Sequence, residues 1–292
     1  MKILVTYSGG KDSQASLIWA VKKYDTKNIE AVFCDTGWEN PITYKHIIDT
    51  CKDLNVKLVI VQSKKYDGME DMAIKKGRFA STMARFCTIE LKTIPMIDYV
   101  LEQKEHLLII QGIRANESAS RSKMQAQCTF FKYYFEPYNN KGKTFTYRKK
   151  DIIKFLSKYS DDILRPVFDW TAQEVIDYII NNKQQPNLLY SQGFKRVGCF
   201  PCFMCGHQEV RELLKRYPKR FSEIEEIEER VGSSFFKIDY IPKRFQTGFD
   251  DKSGKTFTKA CDIKKYLNNK NLTIDMFEKE TISCSSFYHL CE

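Results

Sequence analysis

The chain has 292 residues, is 42% hydrophobic and 29% charged, and carries a formal net charge of +10 with ten cysteines. Apolar content of this order at this length suits one large domain, or one domain with a smaller appendage, and makes a small disulfide-stapled scaffold the wrong class. The opening "MKILVTYSGG" has too short an apolar core for a signal peptide, and no later stretch reaches the roughly 18 apolar residues of a membrane span, so a soluble, cytoplasmic protein without a membrane partner is expected.

Taken in chain order, four short apolar runs, "KILVTY", "IEAVFCD", "VKLVIVQ" and "HLLIIQG", alternate with helically spaced segments such as "SQASLIWAVKKY" and "TYKHIIDTCKDL". Near-continuous rather than alternating apolar strands predict a parallel sheet covered by helices on both faces, hence a doubly wound, Rossmann-like α/β fold. Ligands of such folds sit beyond the carboxyl ends of the strands, which here are "SGGKDS", "DTGWEN", "QSKKYDG" and "GIRANES". The aromatic stretch "CTFFKYYFEPYNNKGKTFTYRKK" flanks an Asn-Asn-Lys-Gly turn and predicts an inserted β-hairpin over about 127–150. Thr171 with Glu174 forms a capping box that predicts a helix from about Ala172 to Asn181. Beyond Gly193 the chain is cysteine-bearing and then helical, so the expected division is a nucleotide-binding α/β domain over 1–192 and a smaller C-terminal region over 193–292.

Positive charge is concentrated in two segments. Residues 121–150 hold eight Lys or Arg against Glu136 alone, and residues 193–220 hold seven against Glu209 and Glu212. Such concentration suggests an anionic substrate or a polyanionic partner such as nucleic acid. The aromatic rings of the expected hairpin, Phe130 to Tyr147, admit two readings. They stack bases, or one aromatic face packs on the core or on a second subunit of a homo-oligomer, the reading favoured by strand alternation.

"SGGKDS" follows a strand and opens a helix, and it lacks the Gly-x4-Gly-Lys spacing of a Walker A loop. Two glycines let the backbone approach an anion, the helix terminus adds N–H groups and a positive dipole end, and Ser8, Lys11 and Ser13 add side-chain donors. The loop therefore reads as a phosphate cradle. Further on, "RVGCFPCFMCGH" places Cys199, Cys202 and Cys205 at C-x2-C-x2-C spacing, which lets thiolates converge on one metal or cluster. Cys87, His207, Cys284 and Cys291 are the candidate fourth ligands, while Cys34 and Cys51 read as core thiols.

The loop resembles the PP-loop of the adenine nucleotide alpha hydrolase superfamily, and four more segments resemble its phosphoadenosine phosphosulfate (PAPS) reductase branch. They are "FCDTGWENPITYKHI", "RFCTIELKTIP", "GIRANESASR" and "RPVFDWTAQEVIDYI", so the likeness covers roughly residues 1–205. It implies that Ser8, Gly9, Gly10, Lys11, Asp12 and Ser13 hold phosphate and that Asp35 and Thr36 lie at the adenosine. It further implies that Arg85, Lys92, Gly112, Arg114 and Arg121 face phosphate or a second anionic group. Lys11, Asp12 and Arg114 are the implied catalytic residues, with Mg2+ as an ion that Asp12 and Asp35 help hold.

Reductases of this branch usually carry an altered PP-loop, whereas the full "SGGKDS" is that of members cleaving ATP between the alpha and beta phosphates. The sulfate-activating adenylyltransferase subunit and the DNA phosphorothioation sulfurtransferase are similar in this respect. The expected function is therefore ATP-dependent adenylation of an acceptor in sulfur metabolism or nucleic-acid thiolation. Reduction of PAPS or adenylylsulfate by Cys284 or Cys291, and nucleic-acid binding without turnover, are the alternatives. For the cysteines, a 4Fe-4S cluster on Cys87, Cys199, Cys202 and Cys205 resembles that of sulfur-transferring relatives. Zinc on Cys199, Cys202, Cys284 and Cys291, or no metal, remains open beside it.

Overall fold

The first apolar run forms β1 (Lys2–Thr6), with Ile3, Leu4 and Val5 buried, and the glycines behind it lead straight into α1 (Lys11–Lys23). The computed structural model describes residues 1–138, 142–250 and 254–269. Next come β2 (Ile29–Cys34), α2 (Pro41–Asp53), β3 (Lys57–Val61) and α3 (Met69–Lys76). Asn40 caps α2 by accepting from the Ile42 N–H at 2.8 Å, and Pro41 needs no partner at the first helical position. A short turn α4 (Phe86–Thr88) runs through a π-helical turn, Ile89–Thr93, into α5 (Ile94–Glu102), and β4 (Leu107–Gln111) follows.

The aromatic segment departs from the expected hairpin. It forms β5 (Gln127–Thr129) and the helical turn α6 (Lys132–Phe135), followed by α7 (Lys149–Leu156) and β6 (Asp161–Leu164). β5 pairs antiparallel with β6 rather than with the second half of its own segment. The reason is spacing: Phe131 and Tyr134, three apart, both enter the core at 1% and 2% exposure, as one face of a helical turn does and alternate strand positions do not. α8 (Ala172–Asn181) has the expected bounds, with the Thr171 hydroxyl accepting from the Glu174 N–H at 3.2 Å and the Glu174 carboxylate accepting from the Thr171 N–H at 2.7 Å.

The sheet order is β3-β2-β1-β4-β6-β5, parallel except for the β5 edge. One face is closed by α1 and α2 through Leu17, Ala20, Ile47 and Cys51, the other by α5 and α7 through Ile97, Val100, Ile152 and Phe155. It is thus the doubly wound Rossmann-like fold. β1 has β2 on one side and β4 on the other, so the strand order reverses there and the β1 and β4 carboxyl ends open a crevice. Helices α9 (His207–Arg216) and α10 (Pro218–Val231), the ribbon β7 (Gly248–Asp250) with β8 (Lys255–Phe257), and α11 (Ala260–Asn269) complete the described chain. Their apolar residues, among them Leu213, Ile224 and Ile263, share one cluster with Trp38, Met69 and Met72. No helix among the described residues is long and apolar enough to cross a membrane.

His46 on α2 sits beside Gln14 of α1, and burial pulls its pKa down from 6.5 to about 4. A base with a lowered folded pKa leaves the unfolded chain holding more protons between those values, so stability is present above pH 6.5 and declines as pH falls toward 4. His46→Gln is expected to flatten that part of the Tm-against-pH profile by a few degrees, as thermal melts at pH 7, 5.5 and 4.5 would show.

Candidate active site

The crevice is built first by the turn after β1. Gly9 has φ +73°, and a Cβ there would come within 2.9 Å of the Thr43 methyl, so the turn needs glycine for both conformation and space. Ser13 ties the loop together, accepting from the Ser8 N–H at 3.2 Å and donating to the Gly10 carbonyl at 2.9 Å. α1 starts at Gly10 without a side-chain cap, so its first-turn amides and dipole face the crevice, except that the Lys11 N–H donates to the Tyr190 hydroxyl at 3.0 Å. From the other side comes Gly112, at the end of β4. A Cβ there would lie 2.4 Å from both the nitrogen and the Cα of Ser13, so strand end and helix start touch backbone to backbone.

Asp12 links the two walls. Its carboxylate accepts from Lys11 Nζ at 3.1 Å and from Arg114 Nε at 2.6 Å, and Arg114 is 4% exposed. One carboxylate therefore holds two cations at the crevice mouth and leaves the trio with net positive charge. The cavity has a volume of about 730 Å³, within the usual range for small-molecule sites. Ser8, Gly10, Lys11, Asp12, Ser13 and Thr36 line it, as do Arg85, Lys92, Gly112, Arg114 and Arg121. The expected residues thus converge, with two exceptions. Gly9 shapes the turn from behind, and the Asp35 carboxylate is taken up by Tyr44 at 2.6 Å, the Gly37 N–H at 2.9 Å and Gln62 at 2.8 Å. Burial alone would raise the Asp35 pKa, but these donors outweigh it and leave it lowered, so Asp35 acts as an anionic brace for the loop.

Glu39 is a residue that sequence reasoning missed. It is buried behind Thr36, whose N–H and hydroxyl donate to it at 3.2 and 2.7 Å, and it also accepts from the Trp38 N–H and the Tyr44 hydroxyl. Its pKa is raised by burial and pulled back by Lys92. Lys92 in turn is held firmly protonated, chiefly by Cys199 and then by Glu39 and Cys34. The acidic residue in "DTGWEN" before a helix-capping Asn was the available signal, but its burial was not legible.

The cysteine segment is stitched across the crevice. The Phe200 N–H donates to the Trp38 carbonyl at 2.8 Å, Trp38 Nε1 donates to the Pro201 carbonyl at 2.9 Å, and Glu39 bridges to Cys199. Arg220 clamps this junction, its guanidinium 3.6 Å from the Trp38 ring and its Nε donating to the Phe200 carbonyl at 2.9 Å. Cys87, Cys199 and Cys202 line the cavity, but Cys205 packs in the C-terminal core beside Glu209, where burial pushes its thiol well up. Burial likewise raises Cys87 and Cys199, the latter opposed by Lys92. His207, on α9, donates from Nε2 to the Tyr240 carbonyl, 2.8 Å away. Among the described residues no three His, Cys, Asp or Glu side chains are placed to hold a metal ion. The cysteine segment thus brings Cys199 and Cys202 to one cavity with Cys87, while Cys205 turns away, so the expected 4Fe-4S ligand set is not assembled among the described residues. Cys284 and Cys291 lie outside the described residues, and the zinc set that includes them with it.

Part of the basic charge in the two segments is paired internally: Arg121 with Glu117, Arg148 with Asp98 and Asp151, and Arg216 with Glu212. Cys34 and Cys51 are thiols pushed up by burial to about 11 and about 12, as core residues are.

The model of the phosphoadenosine phosphosulfate reductase domain matches residues 2–205, a span holding the Ser8–Ser13 loop, the Gly112 wall and the cysteine segment. The chain belongs to that family. Members of the family are enzymes. Among its relatives is an uncharacterised 37.8 kDa protein of Escherichia phage 186, 27% identical, with 82% of this chain and 80% of that one covered. Another, from Methanocaldococcus jannaschii, is 27% identical and uncharacterised, and the alignment covers 77% of this family member but 41% of the archaeal chain. The phage alignment thus takes in most of both chains, while this chain spans under half of the archaeal relative. A crystal structure of the PAPS reductase from Candida auris in a phosphate complex is similar to 69% of this chain and 82% of its own, at 18% identity and a TM-score of 0.46.

Proposed function

We propose that this PAPS reductase-family protein binds ATP and cleaves it between the alpha and beta phosphates, releasing pyrophosphate and placing the AMP group on an acceptor in sulfur metabolism or nucleic-acid thiolation, from which AMP is freed when a later nucleophile displaces it. The observation that carries the reading is the complete "SGGKDS" loop, with Lys11 and Arg114 both held at the crevice mouth by Asp12. The loop amides and helix terminus would take the phosphates, and Thr36 with its neighbours would border the adenosine. An acceptor oxygen attacks the alpha phosphorus, the bond from alpha phosphorus to the bridging oxygen breaks, and pyrophosphate leaves with that bond's electron pair. Lys11 and Arg114 stabilise the negative charge gathering on the departing group. Asp12, whose carboxylate lies at the cavity, would be the residue to hold Mg2+ with the nucleotide, and the ion would supply further positive charge to the phosphates.

The alternative, sulfonucleotide reduction, is favoured by the thiols of Cys199 and Cys202 in the same cavity and by Lys92 beside Cys199. The test offers ATP and PAPS in parallel, the latter with a dithiol reductant. AMP and pyrophosphate from ATP without sulfite from PAPS is the expected result, and sulfite release with intact ATP would replace this reading by reduction.

A further inference from the structure

The aromatic segment divides its rings in two. Phe131 and Tyr134 are buried in the core, whereas Tyr133 and Tyr138 stand 37% and 44% exposed. The exposed pair is ordered by its neighbours. Tyr138 stacks on Phe145 at 4.8 Å with 14° between the planes, Tyr133 meets Phe145 edge-on at 6.4 Å, and the Phe145 N–H donates to the Tyr133 carbonyl at 2.9 Å. With Lys123 and Met124 these three rings surround a second cavity of about 500 Å³, and Ser120 lines both this cavity and the nucleotide cavity. Core packing explains the buried rings and leaves the outer face of this shelf unexplained.

The nucleotide cavity has an unused set of charges of its own. Lys11 and Arg114 share Asp12, and Arg121 has Glu117, but Arg85, Lys195 and Arg196 line the same cavity with no carboxylate partner among the described residues. All three are exposed at its rim. Cations without acids beside a ring platform match a chain of phosphates carrying flat bases. Backbone charge is met by Lys and Arg, and any base offers a face to an aromatic ring.

We infer that the acceptor is a single-stranded nucleic acid, with backbone phosphates at Arg85, Lys195 and Arg196 and an unpaired base stacked on Tyr138 and Tyr133 beside Lys123. This deepens the adenylation reading by naming the class of acceptor, and the binding itself does not depend on turnover. A second copy of the chain covering the shelf is the competing occupant, and it would bury the rings without any dependence on oligonucleotide.

The test uses the full chain without ATP and fluorescein-labelled RNA and DNA oligonucleotides of about 12 nucleotides, single-stranded and duplex, read by anisotropy. Single strands are expected to bind in saturable fashion and to weaken roughly 20- to 50-fold between 50 and 200 mM salt, as three or four phosphate contacts require. Tyr133→Ala with Tyr138→Ala should weaken binding about 10-fold or more at an unchanged salt slope, and Tyr138→Trp should retain it. Lys195→Ala with Arg196→Ala should flatten the slope. The RNA and DNA arms tell which sugar is preferred. No saturable binding at 50 mM salt, duplex bound as tightly as single strand, or tyrosine variants that bind normally would each overturn the inference, as would tyrosine variants that only dissociate a dimer in light scattering. Equal melting temperatures for wild type and tyrosine variants guard against misfolding. ATP cleavage measured on the same samples separates this result from the nucleotide reading, because oligonucleotide binding without ATP cleavage would keep the nucleic-acid site and overturn the adenylation reading together with the acceptor role.

Discussion

Replacing Lys11 by alanine is expected to lower ATP cleavage by about 100- to 1,000-fold while leaving the protein folded, since removing one preformed charge partner from a transition state costs on that order. Lys11 is 8% exposed, its ammonium 3.1 Å from Asp12, at the start of the helix whose amides face the cavity. Its loss would not strand a buried carboxylate, because Arg114 remains 2.6 Å from the other oxygen of Asp12. Melting temperature should therefore change little, and the defect should lie in the single-turnover rate more than in ATP affinity, to which the backbone cradle also contributes. Unchanged AMP formation in Lys11→Ala would remove this residue from the catalytic assignment.

Gly112→Ala should be as damaging by a different route. The added methyl would sit 2.4 Å from the Ser13 backbone, where no flexible side chain can give way, so the β4 end and the start of α1 must separate. Ser13 closes the loop through Ser8 and Gly10, so the displacement reaches the phosphate cradle directly. Overpacking of this kind costs about 1–3 kcal/mol. The expected outcome is a melting temperature several degrees lower and ATP binding weakened more than 10-fold, measured by calorimetric titration on the folded fraction. Wild-type affinity and stability in this variant would mean that the close backbone approach does not exist in solution.

How far the sequence could be read depended on how local each determinant was. The parallel strands, the strand-turn-helix setting of "SGGKDS" and the Thr171–Glu174 cap are local patterns, and all appear where expected. The aromatic segment misled because an Asn-Asn-Lys-Gly turn signal outweighed the i, i+3 spacing of Phe131 and Tyr134, and because β5, three residues long, offers too little alternation to recognise. Long-range contacts were illegible. Nothing local pairs Arg220 with Trp38, 182 positions away, or turns Cys205 from its two sequence neighbours into the C-terminal core. Residue type likewise announced charge at Asp35 without its direction, and the carboxylate is spent on Tyr44, Gly37 and Gln62 instead of the cavity.

The central claim is the bond that is broken. Anaerobically purified full-length protein, incubated with Mg2+, a random-sequence single-stranded oligonucleotide pool and ATP labelled at the alpha phosphate, should release pyrophosphate and carry the label into AMP or adenylated product in equal amount. Label appearing in ADP, or ATP left intact while PAPS yields sulfite, would contradict the account.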